Sequence, residues 1–203
     1  MIKSIQQTNG TMTLADLKNY TVTSRPPLTI TFRGLKLSAV GAPASGAVSL
    51  SALKTMEQYP AADWAADEAL STHRFDEAMR FAYGARQELG DPDFVDGLLP
   101  FEYMMLNESV AAGIRARILD DRTQPVAAYD PKMVYGAESH GTSHIVTADE
   151  GGMATSLTTT INLLFGAQIM VPDSGIILYG PLCWLTWWHL PFTRLPIANT
   201  HTI

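Results

Sequence analysis

Cysteine is almost missing from this chain. Cys183 is the only one in 203 residues, so an internal disulfide and a CxxC metal or redox site are both excluded. Basic residues are scarce as well: 14 Lys and Arg stand against 20 Asp and Glu, for a net charge of −6, and no basic run occurs. That balance argues against a nucleic-acid phosphate backbone as partner. No window of about 20 apolar residues exists, so no membrane-spanning helix is predicted. The opening Met1-Ile-Lys-Ser-Ile-Gln-Gln has one charge and no apolar core, and predicts no signal peptide. Charged residues are only 17% and hydrophobic ones 46%, a globular rather than a disordered composition. The length suffices for one domain with a sizeable core. Three sequons, at Asn9, Asn19 and Asn107, support secretion only mildly, because so short a pattern arises by chance.

Taken in order, Thr13 reads as the N-cap of a helix beginning at Leu14, with Asp16 at the capping-box position. Arg25-Pro26-Pro27 stops any helix. Two alternating runs, 28–32 and 35–40, flank Arg33-Gly34 and read as a hairpin. Residues 41–47 read as a strand-to-helix turn; without a P-loop lysine or GxGxxG, a plain connector outweighs an anion site. Residues 45–58 read as a helix with Val48, Ala52 and Met56 on one face. A longer helix is predicted over 65–89, burying Phe75, Ala78, Met79 and Ala82. Glu77, Arg80 and Arg86 are expected on its polar face. His73, with no second His or Cys in register, is expected to be structural rather than a metal ligand. Gly90 is expected to cap that helix and Pro92 to stop it. Asp91 and Asp93 read as an Asx turn rather than an acid–base pair. Another helix is expected over 107–121, then a linker over 123–141 without periodicity.

At Thr142 the pattern changes to period two. His144 to Ala148 reads as a strand, residues 149–152 as a hairpin turn, and 153–161 as a second strand. Hydroxyls are dense here, in Gly141-Thr142-Ser143-His144 and in Ser156-Leu-Thr-Thr-Thr-Ile-Asn162. A free hydroxyl is a poor nucleophile. An α-amine on the same residue, with a pKa near about 8, can serve as its base. A chain cut before Thr142 would have both on one residue. His144 is therefore not needed as that base, and alternation turns it away from the face of Ser143. It is expected to be structural.

Three ordered blocks carry a resemblance: Gly141-Thr142-Ser143-His144; Ser156-Leu-Thr-Thr-Thr-Ile-Asn-Leu-Leu-Phe-Gly166; and Ser174-Gly175-Ile176-Ile177-Leu178. Together they resemble the γ-glutamyltranspeptidase (glutathione hydrolase) family of the N-terminal nucleophile hydrolases. Asn9-Gly10, Thr13 to Leu17, the turn at Ser45-Gly46 and Leu89-Gly-Asp-Pro-Asp-Phe94 add to it, although Ala44 and Ala47 replace residues usually Ser and Gly. The resemblance implies an α+β fold, the four-layer αββα sandwich, incomplete in this chain. It implies cleavage at Gly141–Thr142 into large and small subunits from one precursor. Thr142 would be the nucleophile, Thr160 would hydrogen-bond its hydroxyl, and Asn162 would contact the α-amino and α-carboxyl end of a γ-glutamyl group. Glutathione and other γ-glutamyl compounds would be donors, and water, amino acids or dipeptides acceptors. No metal and no organic cofactor is implied. The family is largely extracellular, vacuolar, periplasmic or membrane-associated.

By this reading residues 1–141 are the latter part of the large subunit and 142–178 the start of the small one. Residues 179–203 are an unrelated tail, with three of the four Trp between 184 and 188; a short interfacial anchor is the alternative for it. The chain is expected to be truncated at both ends. It lacks the family's upstream carboxylate-binding Arg, its Asp-rich amine-binding block, and its later Ser-Ser pair and Gly-Gly oxyanion hole. Losing one oxyanion donor costs about 10²–10³ in rate, so the chain alone is expected to be poorly active or inactive. Two alternatives stand beside γ-glutamyl transfer. One is an inactive fragment or pseudoenzyme of the family. The other is a related acylase or amidase with a different acyl group, such as a cephalosporin acylase.

Overall fold

The computed structural model describes residues 1–133 and 142–180. Among these, 1–23 and 142–180 belong to one unit, and 24–133 to a second.

In the second unit, β1 (Leu28–Phe32) and β2 (Leu35–Ala39) pair antiparallel, with Leu28 opposite Ala39 and Phe32 opposite Leu35. The two-residue turn takes positive φ at both Arg33 (50°) and Gly34 (81°), the geometry that matches strand twist. A non-glycine residue is strained there. Arg33 is held in place from outside: its N–H donates to Glu57 Oε1 at 2.9 Å, and its guanidinium lies over the rings of Phe32 and Trp64. The inward positions of β1, Leu28 and Ile30, are buried against α3 (Gly46–Glu57). As predicted, α3 buries Val48, Ala52 and Met56; a fully buried Met contributes about 1.5–3 kcal/mol.

The helix expected over 65–89 is divided. A short α4 (Asp63–Ala66) ends at Asp67, whose extended backbone (φ −145°, ψ 99°) starts α5 (Glu68–Arg86) by accepting the Leu70 N–H at 2.9 Å. α5 ends at Arg86 rather than at Gly90. The chain leaves it through tightened turns, with Glu88 N–H donating to Ala85 O and Leu89 N–H to Arg86 O. Ala78 and Ala82 are buried as predicted and Phe81 joins them, whereas Phe75, also expected inside, is exposed and Met79 is half-buried. Glu77, expected on the polar face, is wholly buried. The cause is Tyr129, whose hydroxyl donates to Glu77 Oε2 at 2.6 Å.

α6 (Leu98–Met105) and α7 (Glu108–Arg117) complete the layer over α3, α7 being capped by Asn107 Oδ1 on the Ser109 N–H. Buried Lys54 pairs with Glu57 of its own helix at 2.8 Å and links α3 to α7 through Glu108. Burial pulls the Lys54 pKa down, but the hydrogen bonds to Glu108 and Glu57 outweigh it and leave the ammonium raised. Asp91 forms the predicted Asx turn, its Oδ1 accepting from the Asp93 N–H at 2.9 Å. His73 is structural as expected, with Nε2 2.8 Å from Leu119 O.

Within the expected linker, α8 (Val126–Tyr129) lies close on α5. That approach requires Gly84, because a Cβ there would overlap the Tyr129 carbonyl. Gly141 and the rest of 134–141 lie outside the described residues.

In the first unit, α1 (Ile2–Gln7) precedes α2 (Leu14–Asn19). The capping box is complete: Asp16 N–H donates to Thr13 Oγ1, while Asp16 Oδ2 accepts from the Thr13 N–H at 2.6 Å and its hydroxyl at 2.8 Å. Those bonds, the backbone one first, hold the Asp16 carboxyl below the usual range. The rest of this unit is the hairpin that bears the candidate residues.

Candidate active site

β3 (Ser143–Ala148) and β4 (Ala154–Thr159) pair antiparallel, with Ser143 opposite Thr159, His144 opposite Thr158, and Ala148 opposite Ala154. β-branched residues and hydroxyls fill both strands, as pleated structure favours. The predicted turn closes them. Asp149 N–H donates to Met153 O at 3.0 Å, Asp149 Oδ1 accepts from the Met153 N–H at 2.9 Å, and Gly152 takes a φ of 83°.

Thr142 is exposed and stands immediately before β3; Thr160 is half-buried and stands immediately after β4. The last paired residues are Ser143 and Thr159, so Thr142 and Thr160 each stand one residue beyond the ladder at the open end of the hairpin. The second strand was expected to run to 161 but stops at Thr159. There the chain turns on itself: Asn162 N–H donates to Thr160 Oγ1 at 2.8 Å, and Asn162 adopts a φ of 69°. Asn is among the few side chains that tolerate that region. The hydroxyl of Thr160 therefore also orients Asn162, which the sequence pattern did not reveal.

Beyond Asn162 the chain folds back on itself. Ala167 N–H donates to Leu178 O at 2.8 Å, Leu178 N–H to Ile169 O at 3.0 Å, and Gly180 N–H to Ile161 O at 3.0 Å. Met170 and Ile177 form an antiparallel bridge, and Ile169 and Val171 are buried. Gly166, at φ 55°, must be glycine, since a Cβ would strike the Leu178 carbonyl. This loop braces the end of β4 that carries Thr160 and Asn162.

Three of the candidate residues, Thr142, Thr160 and Asn162, thus converge on one end of one hairpin, and the fourth, Gly141, falls outside the described residues. His144 is exposed, with Nδ1 2.8 Å from Thr158 Oγ1 and Nε2 3.2 Å from Ser156 Oγ. Period-two alternation, carried across the pairing, was the signal that could have placed Ser156 and Thr158 beside it. Among the described residues no group of three or more His, Cys, Asp or Glu could hold a metal ion, and no helix is long and apolar enough to cross a membrane.

The family model described as gamma-glutamyltranspeptidase matches residues 1–181. The chain belongs to the gamma-glutamyltranspeptidase family. It is 49% identical to a glutathione hydrolase proenzyme of Arthroderma benhamiae over 178 residues, covering 88% of this chain and 30% of that relative. A glutathione hydrolase proenzyme of Escherichia coli is 30% identical over 178 residues, covering 87% of this chain and 30% of its own length. Among solved structures, Helicobacter pylori gamma-glutamyltranspeptidase matches with a TM-score of 0.57 and 28% identity, over 67% of this chain and 40% of that one. The fold is accordingly that of the N-terminal nucleophile hydrolases, an α+β sandwich present here in part. The chain spans about a third of the length of the curated relatives it matches.

Proposed function

We propose that this gamma-glutamyltranspeptidase-family chain carries the nucleophile of a glutathione hydrolase and γ-glutamyltransferase. The observation that supports the reading is the hairpin, whose last pair Ser143–Thr159 is flanked by Thr142 and Thr160, with the Asn162 N–H bonded to the Thr160 hydroxyl. The relatives' names point to glutathione as donor. Residues 1–141 would belong to the large subunit and those from Thr142 onward to the small one, both from one precursor.

The chemistry has two stages. Thr142 Oγ attacks the Gly141 carbonyl carbon, the peptide C–N bond breaks, and the proton from Oγ ends on the departing nitrogen. The Thr142 amine is free once that bond has broken; water then hydrolyses the ester, releasing the Gly141 carboxyl and restoring the Thr142 hydroxyl. In the second stage that amine accepts the Oγ proton as Oγ attacks the γ-amide carbon of glutathione. Cysteinylglycine leaves with a proton on its nitrogen. The γ-glutamyl ester passes to water, an amino acid or a dipeptide. Thr160 holds the nucleophile, and Asn162 binds the α-amino and α-carboxyl end of the donor. None of these steps requires a metal or an organic cofactor. The setting that family membership implies is extracellular, vacuolar or membrane-associated.

A second reading is favoured by one observation: every residue of β3 and β4 is exposed. On that reading this chain by itself is inactive. Intact mass of the purified chain after incubation, beside Thr142→Ala, decides between them. Splitting between Gly141 and Thr142 in the wild type alone supports the nucleophile assignment. Full-length mass in both supports the inactive chain. A γ-glutamyl anilide tested against a glutaryl amide separates the transferase from a related acylase.

A further inference from the structure

The hairpin register sorts its side chains into two faces. Antiparallel partners share a face, and alternation returns every second residue to it. His144 pairs with Thr158, and Val146 with Ser156. Carried one step beyond the last pair, the same alternation would bring Thr142 and Thr160 to this face. One side of the ribbon thus carries His144 and Thr158, then Val146 and Ser156, with Thr142 and Thr160 beyond its end. Ile145 and Leu157 lie on the other side, with the pairs Ser143–Thr159 and Thr147–Thr155.

On its own face the imidazole contacts both neighbouring hydroxyls. Nδ1 is 2.8 Å from Thr158 Oγ1, and Nε2 is 3.2 Å from Ser156 Oγ. A neutral imidazole has one donor and one acceptor nitrogen, while a hydroxyl supplies either role. Either tautomer can therefore satisfy both contacts, and each fixes the direction of the two O–H groups. A cross-strand packing partner would need neither bond.

The first stage of the proposed reaction gives this arrangement a purpose. The amine that serves as base in later turnover does not yet exist, because the Thr142 nitrogen is still an amide. The Oγ proton must nevertheless leave and return to that nitrogen. Orientation of the hydroxyls around Thr142 then rests on side chains of the same face.

We propose that His144 is a positioning residue for self-cleavage, fixing the hydroxyls of Thr158 and Ser156 in a row that continues to Thr160 and Thr142. The inference rests on the reading of Thr142 as a self-cleaving nucleophile. It acts through Thr158 and not by contact with the reacting atoms.

The test uses the full 203-residue chain with ¹⁵N-labelled histidine. Thr158→Val is expected to shift the His144 Nδ1 resonance, and Ser156→Ala the Nε2 resonance. Self-cleavage followed by intact mass is expected to slow at least about 10-fold in His144→Ala. His144→Asn, whose amide can reach Thr158, is expected to recover part of that rate, whereas His144→Leu is not. Thr158→Val added to His144→Ala is expected to slow cleavage no further, as members of one hydrogen-bonded unit are non-additive. Ring resonances that ignore both hydroxyl deletions would overturn the inference, as would His144→Ala cleaving at the wild-type rate. If the wild type itself stays at full length, the self-cleavage reading fails and this inference falls with it. If the wild type cleaves and His144→Ala keeps pace, this inference fails alone.

Discussion

Tyr129→Phe removes a single oxygen from the place where the segment leading to the linker is fastened down. Tyr129 is 9% exposed, and its hydroxyl donates to Glu77 Oε2 at 2.6 Å while accepting the Gln124 N–H at 2.7 Å. Burial, then the Glu77 hydrogen bond, push the Tyr129 hydroxyl pKa up. Glu77 is 0% exposed, and its other oxygen has no hydrogen bond; the nearest charge is Arg80 Nε at 3.5 Å. A hydrogen bond to a charged group is worth about 1.5–3 kcal/mol, and a stranded backbone donor about 1 kcal/mol more when only half buried. The ring stays, so its edge-on contact with Phe81 at 4.9 Å survives and no sizeable cavity opens. The expected loss is therefore about 2.5–4 kcal/mol, read from the urea midpoint at unchanged slope. Faster amide exchange at Gln124 should accompany it. Glu77→Gln keeps an acceptor for the phenol and removes a buried charge, so its loss should be smaller. A change below about 0.5 kcal/mol in Tyr129→Phe, the level of an ordinary surface substitution, would refute the reasoning.

Glu102 is buried and accepts the Ala42 N–H at 2.6 Å. Burial raises its pKa, against the lowering pull of that backbone donor. The folded state then binds the proton more tightly than the unfolded one. The contribution is fully present below the ordinary glutamate range and is lost as pH rises through the raised value. Glu102→Gln keeps the acceptor and should flatten that dependence without loss at neutral pH. Glu102→Ala should cost about 1–3 kcal/mol by stranding the Ala42 N–H; thermal melts across acid pH separate the two. Gly84→Ala should cost about 1–3 kcal/mol, or more, because its Cβ would overlap the Tyr129 carbonyl. Urea unfolding at wild-type midpoint would show that α8 yields freely.

Local signals in the sequence were legible wherever local chemistry decides the outcome. Thr13 with Asp16, Gly34 in its turn and Asp91 with Asp93 each do in the structure what their residue types dictate. The misses come from tertiary contacts. Glu77 looks like a surface charge on α5 until Tyr129, 52 residues away, supplies its partner. The helical period runs unbroken through Asp67, so nothing in it discloses the break between α4 and α5. α6 was not anticipated because Pro100 falls within it; at the first turn a proline is tolerated, since no intrahelical donor is lost there. At the candidate site the two strands and their turn were legible. The stop at Thr159 was not, because a Thr hydroxyl capturing the N–H two residues on competes with the sheet ladder on equal local terms.

The same hairpin that gathers Thr142, Thr160 and Asn162 also sets the limit on what they can do unaided. A two-stranded ribbon is marginal in water, and here all positions of both strands are exposed. Its geometry is held by the ladder, by the Asp149 turn, by the His144 contacts and by the loop that closes through Ala167 and Leu178. Those bonds fix which residues face each other. They do not exclude water, and electrostatic stabilisation of an oxyanion depends on preorganised donors in a water-poor setting. On the proposed reading of Thr142, self-cleavage would demand less of that setting than turnover, because the scissile carbonyl would be tethered to its nucleophile and proximity supplied by the chain. The two stages should therefore separate under perturbation. Changes that loosen the hairpin face should slow transfer to an external acceptor more than they slow the intramolecular cut. Changes to the hydroxyl row beside Thr142 should act on the cut itself.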